Sequence, residues 1–247
     1  MESNRTYNYN FWDFNFVPLR IRAYLQTPVV TSDTYLPLDA AIYSVMVRDA
    51  VGDDRFISLA NENTVKEGKH INLPFKKNRA RSECWFYCCS FAQWPDHAVD
   101  GNEAYVKKFD TIHSDFIEFG KRKATVDISR GHYKAVHRKL YYRSALYIDW
   151  YALGDKDIII DLLRFVTNLG KKTAQGWGAV LRWEVIDWHE DWSIRGPKNQ
   201  RGQQKLMRAL PMERSSVVCG LRPSYWLPRH QFQSVIPHPS GDGTVIT

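Results

Sequence analysis

Residues 17–25 alternate. Val17, Leu19, Ile21, Ala23 and Leu25 fall on one side of an extended chain, with Arg20, Arg22 and Tyr24 on the other. This predicts a strand with one apolar face and one basic-aromatic face. After a turn-rich stretch, Leu38, Ala41, Ile42, Val45 and Met46 recur at helical spacing. Pro37 is suited to the first turn of that helix, and Gly52-Asp53 to its end. Residues 83–92 read as a strand, and 103–109 as a segment that pairs back. Residues 144–152 read as another strand. Asp155 is placed to cap a second helix whose buried stripe is Ile159, Leu162, Leu163, Val166 and Leu169. Gly170 stands where a C-capping glycine belongs, and residues 179–188 read as a last strand.

The order strand, helix, two-stranded middle section, another strand, helix, strand predicts an α+β chain with a ferredoxin-like βαββαβ core, the middle section being an insertion-bearing hairpin. The division is a polar arm over 1–16, a core over 17–188 with an insertion at 53–143, an extension over 189–236, and a disordered tail over 237–247. The insertion carries Lys66, Lys69, Lys76, Lys77, Arg79 and Arg81, then the most basic window. There Lys121, Arg122, Lys123, Arg130, Lys134, Arg138, Lys139 and Arg143 face a single acid, Asp127. His132, His137, Tyr133, Tyr141 and Tyr142 are interleaved, a mixture that suits stacked bases and phosphates as well as a solvated face.

Composition narrows the class. The chain of 247 residues holds 34 Lys and Arg against 27 Asp and Glu, a net charge of +7, which favours a polyanionic partner. Aromatic residues make up 14%. The four cysteines, Cys84, Cys88, Cys89 and Cys219, contain no CxxC pair. Reduced core thiols fit better than a zinc site or disulfides, and with them a cytoplasmic location. No apolar run approaches the roughly 20 residues that a membrane helix needs.

The candidate chemistry lies in Gly170-Lys171-Lys172-Thr173-Ala174-Gln175-Gly176-Trp177-Gly178. Three glycines permit positive φ and close approach, exposed amides in such a turn cradle anions, and two lysines add charge. Trp177 can stack on a base or anchor the loop. The Walker pattern is absent. A dinucleotide fingerprint needs glycines between a strand and a following helix, the reverse of the order here. No cofactor is expected. Asp187, His189, Glu190 and Asp191 can be read as a cation site, though a polar strand end explains them more simply. Asp96-His97 reads as a turn.

A loop of this form, after a helix and before a strand, resembles the glycine-rich loop of CRISPR-associated RAMP proteins. Their ferredoxin-like, RRM-related domains bind CRISPR RNA. Further pieces resemble one subgroup, the type IV effector subunit called Csf-three, which is Cas-five-like. They are Pro28, Pro37-Leu38-Asp39, Gly131-His132-Tyr133-Lys134, Gly154-Asp155, Trp183, Leu206-Met207-Arg208 with Pro211, and Gly220-Leu221-Arg222-Pro223-Ser224-Tyr225-Trp226.

The resemblance implies a non-catalytic subunit of a type IV CRISPR ribonucleoprotein. Such a subunit caps the 5′ handle of the CRISPR RNA, seats the first backbone subunit, meets the large subunit, and has target DNA near the PAM within reach. It implies handle contacts at Gly170, Lys171, Lys172, Gln175, Gly176, Trp177 and Gly178. It puts Arg20, Arg22 and Tyr24 on an RNA-facing sheet, His132, Tyr133, Lys134 and Arg138 on a basic projection, and Arg208 and Arg222 against phosphate or base. Two alternatives stay open: a metal-independent endoribonuclease using His132, Tyr133, Lys134 or His137, and a general RNA-binding module.

Overall fold

The computed structural model describes residues 14–31, 35–51, 71–80, 83–117, 126–130, 133–198 and 202–237. Residues 1–13 of the polar arm, Gly52, Asp53, Lys66, Lys69, Arg81, Lys121, Arg122, Lys123, Gly131, His132 and residues 238–247 of the tail lie outside them. In chain order the elements are β1 (Phe16–Leu25), β2 (Val29–Val30), α1 (Leu38–Val51), β3 (Lys77–Arg79), β4 (Trp85–Tyr87) and β5 (Val99–Lys107). Then come β6 (Val136–Ser144), β7 (Tyr147–Asp155), α2 (Lys156–Leu163) and β8 (Val180–Asp187). The chain ends on β9 (Arg195–Lys198), β10 (Gln204–Leu206), β11 (Leu210–Pro211), β12 (Val218–Gly220) and β13 (Gln231–Val235).

The alternation in residues 17–25 does what it predicts. β1 is the middle strand of the sheet β7-β1-β8 and is antiparallel to both neighbours, with Ile21 opposite Trp150 and Val185. Leu19, Ile21, Ala23, Ile148, Trp150 and Ala152 are buried on one face. Leu38, Ile42 and Met46 of α1 and Ile159, Leu162 and Leu163 of α2 pack on it in one core cluster. Asp155 caps α2, its Oδ1 accepting from the Ile158 amide at 3.2 Å. α2 stops at Leu163, so Val166 and Leu169 are buried beyond the helix. Gly170 is therefore not its cap; Arg164 is.

The ferredoxin-like βαββαβ core is not what forms. The described residues hold two α-helices and five small sheets, mostly β structure. The expected middle strand over 83–92 is regular only at Trp85–Tyr87, which pairs with β3. Beside β7 it makes an isolated bridge at Cys89, and Gln93, just past its end, makes another. The reason is visible in its amides: Cys88 donates to Lys76, Ser90 to Tyr151, Phe91 to Met207 and Ala92 to Leu36, so four segments share a backbone that a regular ladder would consume. β5 does not pair back on this section. It forms a long hairpin with β6, and β2 extends that sheet to β2-β6-β5. The C-terminal extension builds the small sheets β10-β9 and β11-β13-β12.

A buried polar network welds the extension to the core. Arg208 is 0% exposed and donates to the carbonyls of Tyr87, Cys89 (2.7 Å) and Leu221 (2.7 Å). Its guanidinium lies 3.8 Å from Asp39, at the start of α1. The Tyr225 hydroxyl donates to the Asp39 carboxylate at 2.6 Å. Burial pushes the Asp39 carboxyl up, and Arg208 opposes that shift. Arg222 donates to the carbonyls of Glu83 (3.0 Å), Trp85 (3.2 Å) and Arg229 (3.3 Å). Gly220 has no room for a side chain, since a Cβ there would stand 2.3 Å from the Tyr225 carbonyl oxygen.

Candidate nucleic-acid interface

The glycine loop is pinned at both ends and open in the middle. At its entrance Gly170 has φ +79° against the Val30 carbonyl, and the Lys171 amide donates to that carbonyl at 2.8 Å, so the loop borders β2. At its exit the Gly178 amide donates to Pro28 (2.8 Å), and the Gly178 carbonyl accepts from Leu169 (2.8 Å). Thr27, which the sequence did not single out, fastens the far side. Its hydroxyl donates to the Gly176 carbonyl and accepts from the Ala179 amide, both at 2.8 Å. Between these anchors Lys171, Lys172, Thr173 and Gln175 are exposed, and Thr173–Gln175 makes one 3₁₀ turn. Lys172 takes φ +60°, a left-handed conformation unusual for a side-chain-bearing residue. Trp177 is half-buried and anchors the loop on Tyr142, ring centroids 5.2 Å apart.

Tyr142 belongs to the β5–β6 hairpin, which brings a second set of groups to the loop. Opposed residues in an antiparallel pair share a face. The register puts Gly101, Glu103, Tyr105 and Lys107 with Val136, Arg138, Leu140 and Tyr142. Gly101 leaves space for the Tyr142 ring, which a Cβ would meet at 2.4 Å. Lys172 Nζ lies 4.1 Å from the Tyr105 ring centroid. Gln175 hydrogen-bonds the Tyr105 hydroxyl and Lys172 stands beside it, which together hold that phenol below its usual titration range. Lys172, Lys107 and Arg138 thus stand around Tyr105, with Glu103 the single acid on that hairpin face. Tyr105 and Lys107 were missed in the sequence because residues 99–107 were not read as one strand; their period-two spacing with Gly101 and Glu103 was the available signal.

The other expected contacts distribute differently. Lys134 is exposed just before β6, at the end of the hairpin where Lys107 pairs with Val136. Tyr133 packs edge-on against Phe109 at 5.0 Å and lines a cleft of about 360 Å³ with Lys107, Lys108, Phe109, Asp110 and His113. His137 is on the hairpin face turned away from Tyr105. Arg20, Arg22 and Tyr24 do lie on the outer sheet face, but the cations are engaged. Arg22 makes a two-point bond to Asp149, 2.7 Å at each end, and Arg20 meets Glu184 at 2.9 Å. Arg208 and Arg222 are buried on backbone carbonyls and present nothing to a phosphate in this fold.

No three His, Cys, Asp or Glu side chains gather as a metal site among the described residues. Asp187 pairs with Lys156, Glu190 accepts from Trp192, and Asp191 from the Ser193 amide. Asp96-His97 forms a turn. Burial pushes the thiols of Cys88, Cys89 and Cys219 up, so they stay protonated, and no disulfide joins the four cysteines. No helix among the described residues is long and apolar enough to cross a membrane.

No curated protein matches the chain. The family described as "CRISPR type IV associated protein Csf3" matches residues 17–237, a span that takes in the hairpin, the glycine loop and the whole buried weld. The chain therefore belongs to the Csf3 family and is a type IV CRISPR-associated subunit.

Proposed function

We propose that this subunit binds the 5′ handle of the CRISPR RNA in the angle between the glycine loop and the β5–β6 hairpin. There it caps that end of the RNA and seats the first backbone subunit, with target DNA near the PAM within its reach. One observation carries the reading: a loop fixed at Val30, Thr27 and Pro28 presents Lys171, Lys172, Thr173 and Gln175 to solvent beside a face that adds Lys107, Arg138 and Tyr105. Rigid anchoring keeps the ordering cost of binding low, and clustered cations meet phosphates with little protein rearrangement. In this reading sequence is read by base pairing of the RNA, and the protein reads backbone and shape.

The role is a binding one, without a catalytic step.

Replacing Lys171 and Lys172 together by alanine removes two phosphate contacts. The slope of log affinity against log salt is expected to fall by about 1.4 units, and affinity by about tenfold near 0.15 M salt, with the RNA recovered at full length. Titration of handle-bearing RNA over a salt series measures both. Unchanged affinity and slope would refute the loop as the contact.

A further inference from the structure

The outer face of the sheet β7-β1-β8 carries a second set of groups with a different character. Tyr151, Trp188, His189 and Trp192 form one cluster. Trp188 lies 5.5 Å from Tyr151, 4.8 Å from His189 and 5.3 Å from Trp192, and Trp192 lies 5.1 Å from Tyr151. The guanidinium of Arg20 covers Trp188 at 5.3 Å. Nearer the glycine loop, Arg22 sits 3.8 Å over Tyr147, and Arg182 sits 3.5 Å over Tyr24. β1 passes from that end directly into Thr27, which holds the loop.

The charges on this face are largely spent within it. Arg22 is held by Asp149, and Arg20 and Arg182 both reach Glu184, at 2.9 and 3.8 Å. Three cations against two acids leave little to draw phosphates. What the cations do instead is fix flat rings in place, since a guanidinium over an aromatic face restricts its rotation and is attracted by its quadrupole. Ordered rings remain at the surface: His189 is exposed and Trp188 and Trp192 are half-buried. A surface of that kind takes unpaired bases, because every base has a π-face and stacking needs no net charge.

We infer that Trp188, His189 and Trp192 are a base-stacking platform for single-stranded RNA, reached across the sheet from the glycine loop. Resting on the RNA-binding reading above, the platform takes bases of the strand whose phosphates the loop holds. From Tyr24 to Pro18, where β1 meets Trp188, the face runs about 20 Å, six residues at strand rise.

Trp192 is the residue to change, since its indole N–H bonds only to Glu190 on the same loop. With full-length protein and a mixed-sequence single-stranded RNA, Trp192→Ala is expected to weaken binding roughly tenfold with the salt slope unchanged. Trp192→Phe is expected to keep most of the affinity. An abasic strand of equal length should bind wild-type protein about as weakly as the intact strand binds Trp192→Ala. Wild-type affinity in Trp192→Ala, or equal binding of intact and abasic strands, overturns the platform. The loop reading stands or falls separately, on the slope change in the Lys171→Ala, Lys172→Ala protein. Should Trp192→Ala fail to fold, the Phe variant and the abasic strand still decide.

Discussion

Replacing Arg208 by alanine is expected to destabilise the protein by about 3–5 kcal/mol, the cost of removing one partner from a buried charge pair. The loss has two parts. The Asp39 carboxylate, 1% exposed, keeps the Tyr225 hydroxyl and the backbone hydrogen bonds at Asp39 and Ala40, but loses the cation that offsets a burial already pushing its pKa up. The carbonyls of Tyr87, Cys89 and Leu221 lose a shared donor in a site that is closed to solvent. Because these carbonyls belong to the middle section and the C-terminal extension, the extension should loosen first. Urea unfolding measures the total, and amide exchange at Leu221 and Ser234 locates it. Stability within about 0.5 kcal/mol of wild type, the range of ordinary surface substitutions, would show that the weld carries no strength. Arg208→Lys should recover little, since one ammonium cannot reach three carbonyls in the plane of a guanidinium.

Gly178→Ala is the second large effect, and it acts on the interface. Gly178 has φ +68°, and a Cβ there would stand 1.9 Å from the Leu169 carbonyl oxygen. Relieving that clash requires the loop exit to move, which gives up the bonds to Pro28 and Leu169. Strain at φ plus two lost hydrogen bonds amounts to about 3 kcal/mol. Gly176→Ala is the matched control. It shares the left-handed φ, +86°, but nothing lies within 4 Å of its Cβ, so only the backbone preference of about 1–2 kcal/mol applies. RNA affinity should follow the same order: Gly178→Ala displaces Lys171 and Lys172 together, whereas Gly176→Ala leaves them in place. Thermal unfolding and RNA titration of the two variants check both halves, and equal behaviour would contradict the anchoring described.

Much of this was legible in the sequence. The period-two run at Leu19, Ile21 and Ala23 located the central strand, and Asp155 marked the start of the second helix. The loop itself announced its glycines and lysines. Three features were hidden, each for a physical reason. A sequence displays the charge of Arg208 and Arg222 but not their depth, and an arginine can be buried when backbone carbonyls satisfy its fork. Arg20 and Arg22 looked like free cations because Glu184 and Asp149, their partners, are distant in sequence. The regular strand expected over 83–92 failed because those residues divide their hydrogen bonds among several segments instead of giving them to one neighbour. The motifs that carried the family resemblance are largely structural: Asp39, Arg208, Arg222 and Tyr225 form the weld, and Gly220 makes room for it.

The most direct test of the central claim uses the assembled ribonucleoprotein. A photo-crosslinking side chain in place of Thr173, at the exposed turn of the loop, is expected to couple to the 5′ handle of the CRISPR RNA within its first nucleotides. Crosslinks confined to the interior of the RNA or to protein alone would contradict the account.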